Sequence, residues 1–209
     1  MKKFFFLAAT VLMMTAGCAT AQETRKLPDP KLAEVKMTLM DALKQRESVR
    51  EFDANKNIDD ATLAKVLWAA CGISRPESGK ITAPSAINAQ DIQVYVCSKN
   101  GAWLFDAKEF KLEKVSDEDL RELIAGPQKS VASAPINLVL VSDQGRFRGP
   151  GNATYGAMDA GYVSQNIYLV CTALGMKTVA RAMMPKEEIA KKLNLRENQI
   201  VELNHPIGY

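Results

Sequence analysis

Ala157-Met-Asp-Ala-Gly-Tyr-Val-Ser-Gln-Asn-Ile-Tyr-Leu-Val-Cys-Thr-Ala-Leu174 is the stretch around which this chain is organised. Val163, Ile167, Val170 and Leu174 recur at helical spacing and make one apolar stripe. Tyr162, Leu169 and Ala173 carry apolar character onto another face. A helix apolar on most sides belongs in a core or an interface. Ala157, Ala160 and Gly161 are small enough to let a second helix approach closely. Gln165 and Asn166 would be costly there without partners. Core packing with those amides bonded to backbone accounts for the stretch; a subunit interface is the sharper reading.

Downstream, the pattern predicts a strand over Lys177–Ala182, a charged surface helix over Pro185–Leu193 and a last strand over Ile200–Leu203. Upstream, Ile136–Val141 is a continuous apolar run and reads as a buried strand. Between that run and the long helix, Ser142–Ala153 holds three glycines, a proline and two arginines; it is expected to form a mobile loop over a site. Ile92–Cys97, Ala102–Phe105 and Phe110–Val115 read as an antiparallel meander, with Asn100-Gly101 as a turn. Ser116 is expected to cap a helix over Asp117–Ala125. Thr38–Gln45 suits a short amphipathic helix. Asp59 and Asp60 cap a second, closed by Gly72. Ile73–Ala83 reads as a loop, after which Pro84 opens a helical turn. No regular βαβ repeat appears. The expected architecture is a three-layer α+β domain with a mainly antiparallel sheet flanked by helices.

The chain has 209 residues. Its start is basic (Met1-Lys2-Lys3) and runs into an apolar segment, Phe4–Met14, too short to span a bilayer. Ala19-Thr20-Ala21 fits export cleavage, giving a signal peptide over 1–21. Thr15-Ala16-Gly17-Cys18 resembles a lipobox, with Thr15 where Leu is expected, and would anchor the protein by lipid at Cys18. Either route predicts an exported, periplasmic protein. Residues 22–36 then read as an extended arm and 37–209 as one domain. Losing Lys2 and Lys3 lowers the formal charge from +3 to about +1, which offers nothing to nucleic acid. Cys71, Cys97 and Cys171 sit in apolar runs and read as buried free thiols. With one histidine, His205, and no HExxH or CxxC pattern, no metal site is expected. No GxSxG turn is present to make a serine hydrolase.

Two polar clusters carry chemistry. Arg46-Glu-Ser-Val-Arg50 offers two guanidiniums and a hydroxyl just beyond a helix end. In extended chain Arg46, Ser48 and Arg50 face one way, and guanidinium forms strong charge-assisted bonds to phosphate. A solvated helix terminus would equally favour arginine. Pro84-Ser-Ala-Ile-Asn-Ala-Gln90 places Ser85, Asn88 and Gln90 where they can converge on a flat ring with alternating donors and acceptors. Polar capping of a helix start would explain Ser85 alone.

Arg46–Arg50, Leu67-Trp-Ala-Ala-Cys-Gly-Ile73, Ala83–Gln90, Asp159–Asn166 and Ala173–Val179, in that order, resemble the nitroreductase family of FMN-dependent oxidoreductases, closest to the branch of azoline-oxidising dehydrogenases. The resemblance implies an α+β sandwich forming an intertwined homodimer with FMN at each end of the interface. Arg46, Ser48 and Arg50 would hold phosphate and ribityl. Pro84, Ser85, Ala86 and Asn88 would meet the isoalloxazine from the other subunit, and Gly175, Lys177 and Thr178 would pass beside the ring. NADH or NADPH would be the donor and a nitroaromatic, quinone or related small molecule the acceptor, with no side-chain nucleophile. Two departures stand out. The family's Gly-x-Gly is here Gly175-Met-Lys177, and the usual basic residue near the C-terminus is absent, leaving Arg181 as a substitute. These departures motivate an alternative: a flavin-binding module of the same fold without turnover.

Overall fold

The computed structural model describes Gln22–Tyr209, so the signal-peptide and Cys18 expectations lie outside the described residues. In chain order the elements are β1 (Thr24–Lys26), α1 (Leu39–Gln45), α2 (Asp60–Cys71), β2 (Ile73–Arg75), β3 (Lys80–Ile81), β4 (Ile92–Ser98), β5 (Gly101–Asp106) and β6 (Lys111–Ser116). There follow α3 (Arg121–Ala125), β7 (Ile136–Asp143), α4 (Ala153–Ala173), β8 (Lys177–Thr178), α5 (Lys186–Lys192) and β9 (Gln199–Gly208).

Seven strands form one sheet in the order β1-β6-β5-β4-β7-β9-β8, with every pairing antiparallel. Every residue of β7 is buried, as its continuous apolar run requires. Strand alternation sends Val94, Val96, Leu138 and Leu140 to the face covered by α2 and α4. Tyr95, Cys97, Val139 and Val141 go to the other, against Ile124 of α3 and Ile189 of α5. Helices, sheet and helices therefore make the three layers expected.

Several boundaries differ from the sequence expectation. Ile73–Ala83 is not all loop, because β2 and β3 pair with Ile73 opposite Ile81. The helix expected from Asp117 begins at Arg121. Ser116 instead accepts the Glu118 N–H (3.2 Å) and Asp119 the Arg121 N–H (3.1 Å), so the acidic run makes local turns. The Lys177–Ala182 strand shortens to β8 and a single bridge, Arg181 to Asn204. In contrast, β9 runs on through His205 and Pro206 because β7 lies alongside its full length. The arm is part of the fold: β1 covers the edge of β6 and Leu27 is buried in the core. Cys71, Cys97 and Cys171 are buried free thiols, and burial pushes Cys71 and Cys97 up to about 12.

The long helix starts at Asn152, whose side chain accepts the Thr154 and Tyr155 N–H groups. Asp159, Val163, Ile167, Tyr168 and Cys171 lie on its buried side. Tyr155, Met158, Tyr162 and Gln165 are exposed on the opposite side. Gln165 thus reaches solvent and needs no buried partner.

Candidate functional site

The chain leaves α1 at Arg46 in extended conformation, and the Val49 N–H donates to the Thr178 carbonyl at 3.0 Å. Arg46 and Ser48 both meet Tyr168 of α4. The Arg46 guanidinium lies 5.1 Å from the ring centroid, and Ser48 Oγ is 2.8 Å from the Tyr168 hydroxyl. That hydroxyl also accepts the Ala180 N–H at 2.8 Å. Arg50 is exposed. Among the described residues neither Arg46 nor Arg50 makes an ion pair. Two unneutralised guanidiniums and an anchored hydroxyl favour an anion.

Arg181 is not available to a ligand. Its guanidinium donates to Gln128 Oε1, Asn204 Oδ1 and the carbonyls of Ile124, Ala125 and Met183. Burial, then the nearby charge of Arg50, lower its pKa. The sequence expectation that Arg181 replaces the missing C-terminal base is corrected accordingly.

A cleft of about 230 Å³ lies beside the cluster, lined by Glu47, Val49, Gly175, Lys177 and Thr178 among others. Gly175 has φ +67° and no atom near the position a Cβ would take, so its backbone is open to a ligand. Lys177 is exposed. The Thr178 side chain is engaged in the core, its buried hydroxyl donating to the Pro206 carbonyl at 2.9 Å, and its carbonyl is taken by Val49. With that proton engaged, Thr178 Oγ1 accepts from His205 Nδ1 at 3.1 Å, leaving Nε2 to accept from the Ser164 hydroxyl at 2.8 Å. His205 is a neutral core residue; burial pushes it down to about 3.

The Pro84–Gln90 cluster is a strained turn. Pro84 precedes an extended Ser85 and a single 3₁₀ turn over Ala86–Asn88, shorter than the helical turn expected. Ile87, Asn88 and Gln90 have φ of 50°, 57° and 48°. Asn tolerates left-handed backbone, but it is uncommon for Gln and rarest for a β-branched residue such as Ile87, so the surroundings must impose it there. The Gln90 N–H donates to Ser85 Oγ (2.9 Å), and Arg146 Nη1 donates to the Gln90 carbonyl (2.8 Å). Both Asp159 carboxylate oxygens accept the Ala86 N–H, at 2.9 and 3.1 Å. Pro84, Ile87 and Asn88 are exposed at the tip. A cleft of about 590 Å³ opens on the other side of the turn, where Gln90 and Arg146 meet Ile73, Ile92 and Phe105.

Sequence reasoning missed Tyr168, and it missed the buried group under the turn, Asp91, Ser142 and Gln144. One signal was available: Asp91 is a carboxylate opening an otherwise apolar strand. Ser142 and Gln144 had been placed in a mobile loop; both are buried. Within one chain the two clusters stay apart, on Asp159 and on Tyr168. Nine helical residues separate these by roughly 14 Å and half a turn. The clusters therefore flank the exposed side of α4.

The nitroreductase family model matches residues 43–209. The chain belongs to the nitroreductase family. It is 29% identical over 198 residues to a nitroreductase-type protein of Methanocaldococcus jannaschii, covering 89% of this chain and 97% of that one. It superposes on the crystal structure of a nitroreductase-type protein from Ralstonia eutropha JMP134 with a TM-score of 0.83 and 32% identity, covering 95% of each chain. The E. coli microcin synthetase McbBCD complex contains a chain with the same fold (TM-score 0.71, 17% identity, 98% of this chain and 84% of that one). As a nitroreductase-family protein it is an oxidoreductase. Among its described residues no group of His, Cys, Asp and Glu could hold a metal ion, and no helix is long and apolar enough to cross a membrane.

Proposed function

We propose that this nitroreductase binds FMN and passes hydride or electrons from NADH, NADPH or another reduced donor to a small organic acceptor such as a nitroaromatic or quinone. It does so as a homodimer, outside the cytoplasm. The observation that carries the reading is the pair of unneutralised guanidiniums beside a hydroxyl fixed on Tyr168. Arg46 and Arg50 would hold the phosphate and Ser48 the phosphate or ribityl oxygens. Gly175 and Lys177 would pass beside the ring. Pro84, Ser85 and Asn88 would reach it from the partner subunit, where a strained, exposed turn supplies a fixed surface. Bound FMN supplies the hydride and electron transfer, so the protein's task is position and electrostatics.

The chemistry of the donor set fits this group. Its phosphate matches two guanidiniums, and the open backbone at Gly175 leaves room for a flat ring. Export of the chain rests on Phe4–Met14 and Ala19–Ala21. The test is an absorbance spectrum of protein purified and then incubated with FMN. Flavin bands that persist through gel filtration are expected; their absence refutes the reading. In the Arg46→Ala/Arg50→Ala double variant those bands are lost, because each charge-assisted contact contributes about 1.5–3 kcal/mol.

A second reading, a flavin-binding module without turnover, is favoured by Lys177 in place of a glycine and by Arg181 being engaged elsewhere. Anaerobic stopped-flow mixing separates the two. Bleaching by dithionite but by neither nicotinamide, with no acceptor turnover, selects the module.

A further inference from the structure

The turn just described holds three non-glycine residues in left-handed backbone, and something must oppose their return to ordinary conformations. Asp159 and Asp91 bracket it, one bonded to its first N–H and the other following its last residue. Both are buried: Asp91 is 0% and Asp159 1% exposed. Ser142, bonded to Asp91, packs against Gly156, three residues before Asp159 on α4, which brings the two carboxyls together under the turn; Asp159 in turn raises the Asp91 pKa.

The donors around them are accounted for. Gln144 Nε2 donates to Ser142 Oγ at 2.6 Å, so the Ser142 hydroxyl proton goes to Asp91 Oδ2. Asp91 Oδ1 has no partner. Two ionised carboxylates in contact without a cation repel strongly. A proton on Asp91 Oδ1, donated to Asp159, removes both the repulsion and the orphaned atom, and leaves the Asp159 oxygens able to accept the Ala86 N–H.

We propose that Asp91 and Asp159 share one proton, and that this proton clamps the Ser85–Gln90 turn. Asp91 is then a positioning residue acting through Asp159, and removing the proton loosens the turn. The consequence for ligand affinity rests on the reading of the turn as a ring contact; the clamp itself does not.

Other charged groups nearby leave this balance intact. Arg146 donates to the Gln90 carbonyl and lies 3.8 Å from Asp143. Asp143 points to the opposite side of β7 from Ser142 and is held by Arg196 at 2.6 Å. Burial, with Asp159 adding to it against the Ser142 bond, pushes Asp91 up to about 7. The shared proton is therefore lost as pH rises through neutrality.

The test is amide hydrogen exchange of Ala86 and Gln90 in the free protein between pH 5.5 and 8.5, corrected for the intrinsic pH dependence of exchange. FMN titrations by flavin fluorescence are run over the same range. Protection of both amides should fall by about tenfold or more across the range, with FMN affinity falling in parallel. The Asp91→Asn variant supplies a permanent donor to Asp159, and Asp159→Asn a permanent donor to Asp91. Either should hold the turn at every pH and flatten both profiles.

Constant wild-type protection overturns the clamp, as does an unaltered slope in an Asn variant that folds. Should neither variant fold, the wild-type exchange profile decides alone. Exchange that follows pH while FMN affinity does not leaves the clamp standing and removes the turn from the FMN site.

Discussion

Tyr168 shows how a single side chain gathers the Arg46–Ser48 cluster. It carries the Arg46 guanidinium on its face and joins Ser48 to the Ala180 N–H through its hydroxyl. Replacing it with Phe keeps the ring and strands the Ala180 N–H, which costs about 1–3 kcal/mol. Urea denaturation of the Tyr168→Phe variant should show that loss, and FMN titration should show weaker binding because Ser48 is no longer held. That Arg46 and Ser48 face the same way was legible from their alternation. Tyr168 was not, because it meets Ser48 across 120 residues and looks like one more apolar helix position. His205 makes the complementary point. A neutral ring whose pKa is depressed to about 3 stabilises the fold fully above its unfolded value of about 6.5. The unfolded state binds the proton first as pH falls, so this stability is lost between about pH 6.5 and 3. Thermal melts should show acid destabilisation over that window, at up to about 1.4 kcal/mol per pH unit. A flat profile there would mean that the ring is protonated in the folded state.

At the scale of elements, α4 is held against β7 by a missing side chain. A Cβ on Gly156 would collide with Ser142 Oγ and come within 2.7 Å of Gln144 Nε2. Gly161, five residues on and on another side of the helix, faces open space. Gly156→Ala should therefore lower stability by about 1–3 kcal/mol through overpacking, and should loosen the Ser142–Gln144 pair under the strained turn. In the separated subunit Gly161→Ala should instead gain up to about 1 kcal/mol of helix propensity. Melting both variants side by side checks the contrast; equal effects would show that α4 does not lie against Ser142. The helices were readable where local signals agree, as at α2, whose Asp59 cap and Gly72 end both appear. Boundaries failed where tertiary pairing outweighed local preference. β9 runs through Pro206 because β7 supports it, and Asp117–Asp119 stays outside α3 because its carboxylates and Ser116 take local N–H groups.

For the whole molecule, the decisive question is what covers the exposed side of α4. Tyr155, Met158 and Tyr162 there are 44–55% exposed, and Leu39, Met40 and Leu43 of the adjoining α1 are 46–66% exposed. An apolar face spread over two packed helices is more than a monomer ordinarily leaves in water. The proposed second copy would cover it, because a two-fold interface is self-complementary. The two polar clusters lie on opposite flanks of this same face, so a two-fold axis across it would bring the Arg46 cluster of one subunit towards the Pro84–Gln90 turn of the other. Dimerisation and FMN retention should then fail together. A Met158→Glu/Tyr162→Glu variant places two carboxylates at the centre of the face and changes neither cluster. Sedimentation velocity should find it monomeric, and its absorbance spectrum should lack flavin. The Arg46→Ala/Arg50→Ala variant is the control, since it should lose flavin while remaining dimeric. A monomeric Met158→Glu/Tyr162→Glu protein that stays yellow would mean that one subunit holds the flavin unaided, and the cross-subunit site would be wrong.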